Sequence, residues 1–240
     1  MDEYSNWINK EKNIASKITD HQAIALKSTL GLNIKIDSFS NLPPCWHWLY
    51  FLEIIDKKDI ANDGHGLKGQ FLPPINLSRR MYAGGQIYYY KPIRVGSDLI
   101  KNTKIMSIEE KNGSKGKLVF VKLRHQIRDS KTLFLEDTQN IVYTNSSYKV
   151  PNINKNKVNV PVASFTKEYK FDPVILFRYS ALTFNSHRIH YDLDYARNVE
   201  GYPDLVVHGP LMATTLAMEL YNINLKGHLN CFSFKIHNPL

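Results

Sequence analysis

The sequence predicts an α+β chain of two units, each pairing an antiparallel sheet with one helix. Three observations predict it. A capped helix near the N-terminus is followed by four β-patterned segments. A tract without apolar periodicity interrupts the chain at residues 145–161. A second, almost wholly apolar helix then opens at His208, Gly209 and Pro210.

Thr19 and Asp20 carry the side chains that cap a helix start, and HQAIALKSTLGL runs on to Gly31, which ends it. The residues before Thr19 read as a loose arm. Residues 46–54 are apolar and aromatic and read as a strand. The stretch from Asp63 through Gly64, Gly66, Gly69, Pro73 and Pro74 reads as a long loop of a kind that is often functional. Residues 86–91, 99–110, 117–128 and 133–143 are rich in Ile, Val, Phe and Tyr, with turns at Gly96 and at residues 112–116. These elements place the first unit at residues 1–144.

The tract NSSYKVPNINKNKVNVP, residues 145–161, reads as a linker. The second unit, residues 162–240, is expected to run as a strand at 165–171, a polar turn and a helix at 211–221. Pro210 suits the first helical position, and Glu219 is the only charge along that helix, so burial on nearly all sides is expected. Only residues 231–237 then remain to supply sheet. The second unit is therefore expected to lack its C-terminal strands, through truncation or because another subunit completes the sheet.

Composition narrows the function. A chain of 240 residues, 43% hydrophobic, is long enough to bury a sizeable core, and its 22% charged residues are ordinary for a soluble globule. No apolar run reaches the roughly 20 residues of a membrane span. The first residues, MDEYSNWINKEK, have neither a signal core nor an Arg-rich transit pattern, so the cytoplasm is the expected compartment. Cys45 and Cys231 show no metal spacing and are expected as free thiols. The net charge of +9 is scattered rather than striped, which argues for a solvated basic surface and against a nucleic-acid partner.

The chemistry concentrates in FRYSALTFNSHRIHYDLDYARNVEGYPDLVVHGPL, residues 177–211. It gathers Asn185, His187 and His190 into one polar turn and then places Gly209 at a helix start. Such a pair offers a proton acceptor for water and a backbone donor for an oxyanion. The turn resembles the Asp-x-Asn-Pro-x-His mark of the MaoC-type hydratases and dehydratases, enzymes of the hotdog fold that add water to an enoyl thioester or remove it. Asn185 falls at the aspartate, His187 at the asparagine, Arg188 at the proline and His190 at the catalytic histidine. VVHGPL matches the family's helix start. The likeness extends through PPCWHWLYFL and FLPPINLSRRMYAGG to members carrying two hotdog units, the first without the catalytic pair.

The resemblance implies a double hotdog, each sheet wrapped around a long central helix, acting as a hydro-lyase on an acyl-CoA. A branched C5 dicarboxylyl thioester is the expected substrate, with no metal, nucleotide or flavin cofactor. It implies that His190 takes a proton from water and that the Gly209 amide holds the thioester oxygen. Asn185, an amide that cannot trade protons, positions the water. His187 and His208 are expected at the substrate. Arg188 either grips a free carboxylate or pairs with Asp192 or Asp194 nearby. Arg79 and Arg80 either meet CoA phosphates or cap a strand. A homodimer is the expected assembly. A general 3-hydroxyacyl-thioester dehydratase and a noncatalytic acyl-CoA binding protein remain the alternatives, while a thioesterase would need the carboxylate that Asn185 replaces.

Overall fold

Three strands with alternating inward residues pair in sequence-local hairpins, a fourth from earlier in the chain lies beside the third, and two more join at the edges. The computed structural model describes residues 3–113, 116–145, 166–223 and 229–240. The strands are β1 (Glu11–Lys17), β2 (Arg79–Tyr89), β3 (Asp98–Gly113), β4 (Gly116–Arg128), β5 (Leu133–Thr144) and β6 (Cys231–Lys235). They form one antiparallel sheet in the order β1-β3-β4-β5-β2-β6. The helices are α1 (Asp20–Thr29), α2 (Pro173–Leu182), α3 (Leu193–Asn198) and α4 (Gly209–Ile223). Among the described residues no helix is long and apolar enough to cross a membrane.

Residues sharing the inward face of β3, β4 and β5 explain why a cavity forms. At one end Leu99, Ile127 and Leu135 join a core with Leu26 of α1, Leu176 of α2 and Leu211 and Met218 of α4. At the other, Ile105, Val121, Val119, Ile141 and Tyr143 form a second cluster with Ile75 and Leu77. Between them the same face carries Lys101, His125, Asp137 and Gln139, which line one cavity. A strand alternating with period two keeps these polar residues inward, so the sheet cannot close over them with apolar packing alone.

Several expectations are corrected. The N-terminal arm contains β1, which pairs with β3 along Glu11–Lys17 and is fixed by Lys104 Nζ at 3.1 Å from Glu11 Oε1. Residues 46–49 form a 3-10 turn, not a strand. Cys45 and Phe51 have positive φ, and Trp46, Leu49, Tyr50 and Phe51 are all buried, a pattern with no exposed strand face. Residues 166–171 form no strand. They cross α4, where Lys167 Nζ lies 2.6 Å from Glu219 Oε1 and the Tyr169 hydroxyl bonds the same carboxylate. The stretch 146–161 of the expected linker lies outside the described residues.

α4 runs two residues beyond each expected end, yet burial on all sides does not hold. Its buried face, Leu211, Ala213, Ala217 and Met218, packs into the core, while Leu216, Leu220 and Tyr221 are exposed. The described residues after α4 contain one strand, β6, and it does not start a sheet around α4. It adds to the edge of β2 instead, Gly85 opposite Phe234.

Candidate active site

α2 delivers the polar turn. Asp172 accepts the Ile175 N–H at 2.8 Å and Pro173 sits in the first helical turn, so the helix is capped and preset in φ. After Phe184, which has positive φ, the Asn185 Oδ1 accepts the His187 N–H at 3.0 Å. One lone pair of the Asn185 oxygen is thus held by the turn, and its amide N–H groups remain as donors. A 3-10 turn at Arg188–His190 then carries His190 inward.

His190 Nδ1 lies 2.6 Å from the Val206 carbonyl, which only accepts, so Nδ1 carries the proton and Nε2 is left as an acceptor. Burial pushes this imidazole down to about 4, against the Val206 bond that raises it. His208 stacks on it at 3.7 Å between ring centroids and is oriented in turn by Ser180 Oγ, 2.8 Å from its Nε2. Burial, then His190, pushes His208 down to about 2. These rings are neutral near pH 7, as a proton acceptor must be.

Gly209 begins α4, so its amide has no acceptor within the helix and sits at the positive end of the dipole. A Cβ there would stand 2.4 Å from Ile236 Cδ1 and 3.0 Å from Tyr82 Cδ1. The missing side chain lets the residue lie against both. Asn185, His187, His190 and Gly209 all line one cavity of about 610 Å³, and the buried hydroxyl of Tyr82, another lining residue, has no hydrogen-bond partner among the described residues.

Two of the expected substrate contacts are placed elsewhere. Arg188 does not line the cavity. Its Nε and Nη2 lie 3.0 and 2.7 Å from Asp192 Oδ2, and its guanidinium covers Tyr195, because an i,i+4 carboxylate is closer than any ligand. Asp192 is further engaged in capping α3 through the Tyr195 N–H. His208 is 1% exposed and stands behind His190 rather than in the cavity. The neighbouring arginines divide. Arg79 pairs with Glu200 at 3.1 Å, whereas Arg80 lines the cavity and makes no ion pair among the described residues.

The sequence reading left two residues of this site in a loop, Asp63 and His65. The loop docks on the polar turn through the Arg188 N–H to Asp63 O (2.9 Å) and Ser186 Oγ to Gly64 O (2.5 Å). His65 lines the cavity with its ring 4.0 Å from that of His187, which stands 5.4 Å from His190. Burial, helped by Arg80, pushes His65 down to about 4 against the pull of Asp63. Burial works to raise Asp63, but the hydrogen bonds and charge of His65 hold it well below the usual carboxylate range. Burial, then His65 and His190, holds His187 far below the ordinary imidazole value. Asp63, His65 and His187 also offer metal-ligand atoms within 4.8 Å of one another, a grouping that no spacing in the sequence displays. The one advance signal was the length of the loop.

An imidazole acceptor and a helix-start amide in residues lining one cavity are the parts that water addition to a conjugated thioester requires. The fold and the site define a hydro-lyase of the double-hotdog class. Residues 45–240 match the model of hydroxyacyl-thioester dehydratase type 2, and the chain belongs to that family. It is 40% identical over 235 residues to a mesaconyl-C(4)-CoA hydratase of Chloroflexus aurantiacus, covering 98% of this chain and 84% of that one. It is 25% identical to the mitochondrial hydroxyacyl-thioester dehydratase type 2 of Schizosaccharomyces pombe, over 89% of this chain and 81% of the relative. Among solved structures, HtdX of Mycobacterium tuberculosis superposes with a TM-score of 0.64 at 16% identity, covering 96% and 84% of the two chains. A MaoC-like dehydratase from Phytophthora capsici does so at 0.61 and 16%, covering 96% and 82%. Both share the fold.

Proposed function

We propose that this chain hydrates the double bond of mesaconyl-C4-CoA, and runs the reverse dehydration, without a metal, nucleotide or flavin. The observation that carries the reading is that His190, with Nε2 left as an acceptor, and Gly209, at the start of α4, line one cavity. The thioester oxygen accepts the Gly209 N–H, which makes C3 electrophilic. His190 Nε2 takes a proton from water as the oxygen bonds to C3, and the C2=C3 electron pair moves toward C2 and the thioester oxygen. The proton then returns from His190 to C2, so that H and OH have been added and the histidine is neutral again. Asn185 donates to the water through its free amide. Arg80, with no acidic partner among the described residues, supports a dicarboxylyl substrate by offering a fork for the second carboxylate. The 40% identity to a mesaconyl-C(4)-CoA hydratase supports the same choice. The two free thiols fit the cytoplasm.

The test follows loss of enoyl-thioester absorbance with mesaconyl-C4-CoA and crotonyl-CoA. The wild-type chain is expected to prefer the former, and His190→Ala to lower kcat by roughly 10²–10⁴-fold. Equal turnover of both substrates would favour a general 3-hydroxyacyl-thioester dehydratase. Tight binding without turnover would identify a noncatalytic acyl-CoA binding protein.

A further inference from the structure

The motif resembled by residues 185–190 uses a carboxylate where this chain has Asn185, and the Asn185 oxygen accepts the His187 N–H. In the turn the attacking water, with two protons, meets no carboxylate, and His190 Nε2 is the acceptor there whose tautomer a hydrogen bond fixes. The loop from the other half of the chain brings a second. Asp63 Oδ1 accepts the His65 backbone N–H at 2.9 Å and Asp63 Oδ2 lies 3.0 Å from His65 Nδ1. A carboxylate on both sides of one residue fixes the tautomer: the proton sits on Nδ1, and Nε2 is a lone pair on a ring that lines the cavity.

We propose that His65, held in this tautomer by Asp63, is a second catalytic residue whose Nε2 accepts the other O–H of the attacking water, taking the place of the motif's carboxylate. The assignment rests on the hydratase reading above. His190 still removes the proton that leaves the water, and His65 keeps the other O–H, so the step balances as written there and gains no new reactant. Two acceptors on one water aim its oxygen lone pair at C3, whereas one acceptor leaves the molecule free to turn. The same side chains are also spaced to hold a divalent cation with His187. The hydrogen bonds favour the dyad, because Asp63 Oδ1 accepts the His65 backbone N–H and Oδ2 lies at His65 Nδ1, so both Asp63 oxygens are already engaged by His65.

The decisive variant is Asp63→Asn, which keeps the shape of the side chain. Its single oxygen is drawn to the His65 backbone N–H, so its NH₂ faces Nδ1 and drives the ring proton to Nε2. An acceptor for water becomes a donor. We expect kcat with mesaconyl-C4-CoA to fall by roughly 10²–10³-fold with KM within about threefold and melting temperature little changed. His65→Ala should fall comparably. His65→Gln, whose amide can bond Asp63 and still present an oxygen, should recover at least about tenfold over alanine, a rescue that simple packing does not predict. Activity should survive prolonged chelation. An active wild-type enzyme in which Asp63→Asn keeps kcat within about threefold would overturn the assignment alone. Activity lost on chelation and restored by Zn²⁺ would overturn it in favour of a metal. An inactive wild-type chain would overturn the hydratase reading, and this assignment with it.

Discussion

Replacing Gly64 with alanine strikes the joint between the loop and the catalytic turn. Gly64 has φ +89°, and an added Cβ would fall 1.7 Å from the Ser186 carbonyl oxygen and 2.6 Å from its carbon. Those are backbone atoms, and Ser186 O also accepts the Tyr191 hydroxyl at 3.1 Å, so the turn cannot simply step aside. The loop must lift. Lifting it breaks the Arg188 N–H to Asp63 O bond, the Ser186 Oγ to Gly64 O bond and the 3.2 Å contact of Arg188 Nη1 with Asn62 O. At about 1 kcal/mol each, with about 1–2 kcal/mol more for a left-handed alanine, the loss is on the order of 4–5 kcal/mol. For a domain of this size that is a fall of about 10 °C in melting temperature. Calorimetry and the enoyl-absorbance assay together read the result. A fold that tolerates local undocking would show a smaller thermal shift, and kcat should then fall by roughly 10²-fold because His65 has left the cavity. Gly66→Ala is the control, since its Cβ meets only the flexible end of Ile55 at 2.6 Å. A Gly64→Ala enzyme that melts and turns over like the wild type would refute the docking argument.

Removing the Arg80 guanidinium should raise KM for mesaconyl-C4-CoA by roughly 10–100-fold, the worth of a charge-assisted pair, while leaving crotonyl-CoA within about threefold. Equal losses on both substrates would assign Arg80 to the CoA portion or to structure. Acid should destabilise the fold early. His65 and His190 are held down to about 4, whereas the unfolded chain protonates them near 6.5, so the unfolded state binds more protons between those values. Their stabilising contribution is complete above about pH 6.5 and is lost as pH falls toward 4, on the order of 3 kcal/mol for His190 alone. Urea midpoints at pH 7.5, 5.5 and 4.5 would expose it, and a flat series would contradict burial of the histidine row.

Strands β2 to β5 and α4 were legible because their patterns are local: alternating β-branched residues, and Pro210 at the start of an apolar run. β1 was not, since EKNIASK owes its place to main-chain pairing and charges on β3 rather than to an apolar face. Residues 46–54 misled because the stretch 46–51 is buried almost throughout and has no period to read. The turn at 185–190 and the helix start at Gly209 could be placed from the chain alone, as both are short-range motifs. The contribution of Asp63 and His65 could not. Gly64 and Ser186, which touch, are 122 residues apart, and only the folded sheet brings them together.

The edge pairing of β6 with β2 carries a consequence for how the protein is made. The cavity is closed partly by Ile236, His237, Asn238 and Pro239, and the Val207 N–H just ahead of α4 bonds the Leu240 carbonyl. During synthesis, β2 through β5 emerge and pair long before residues 231–240 leave the ribosome. The nascent chain therefore holds an assembled sheet with an open edge and an unsealed, water-filled pocket until residues 231–240 arrive. A chain stopped before Cys231 would keep His65, His187, His190 and His208 in its sequence and lack the residues that close the pocket beside them.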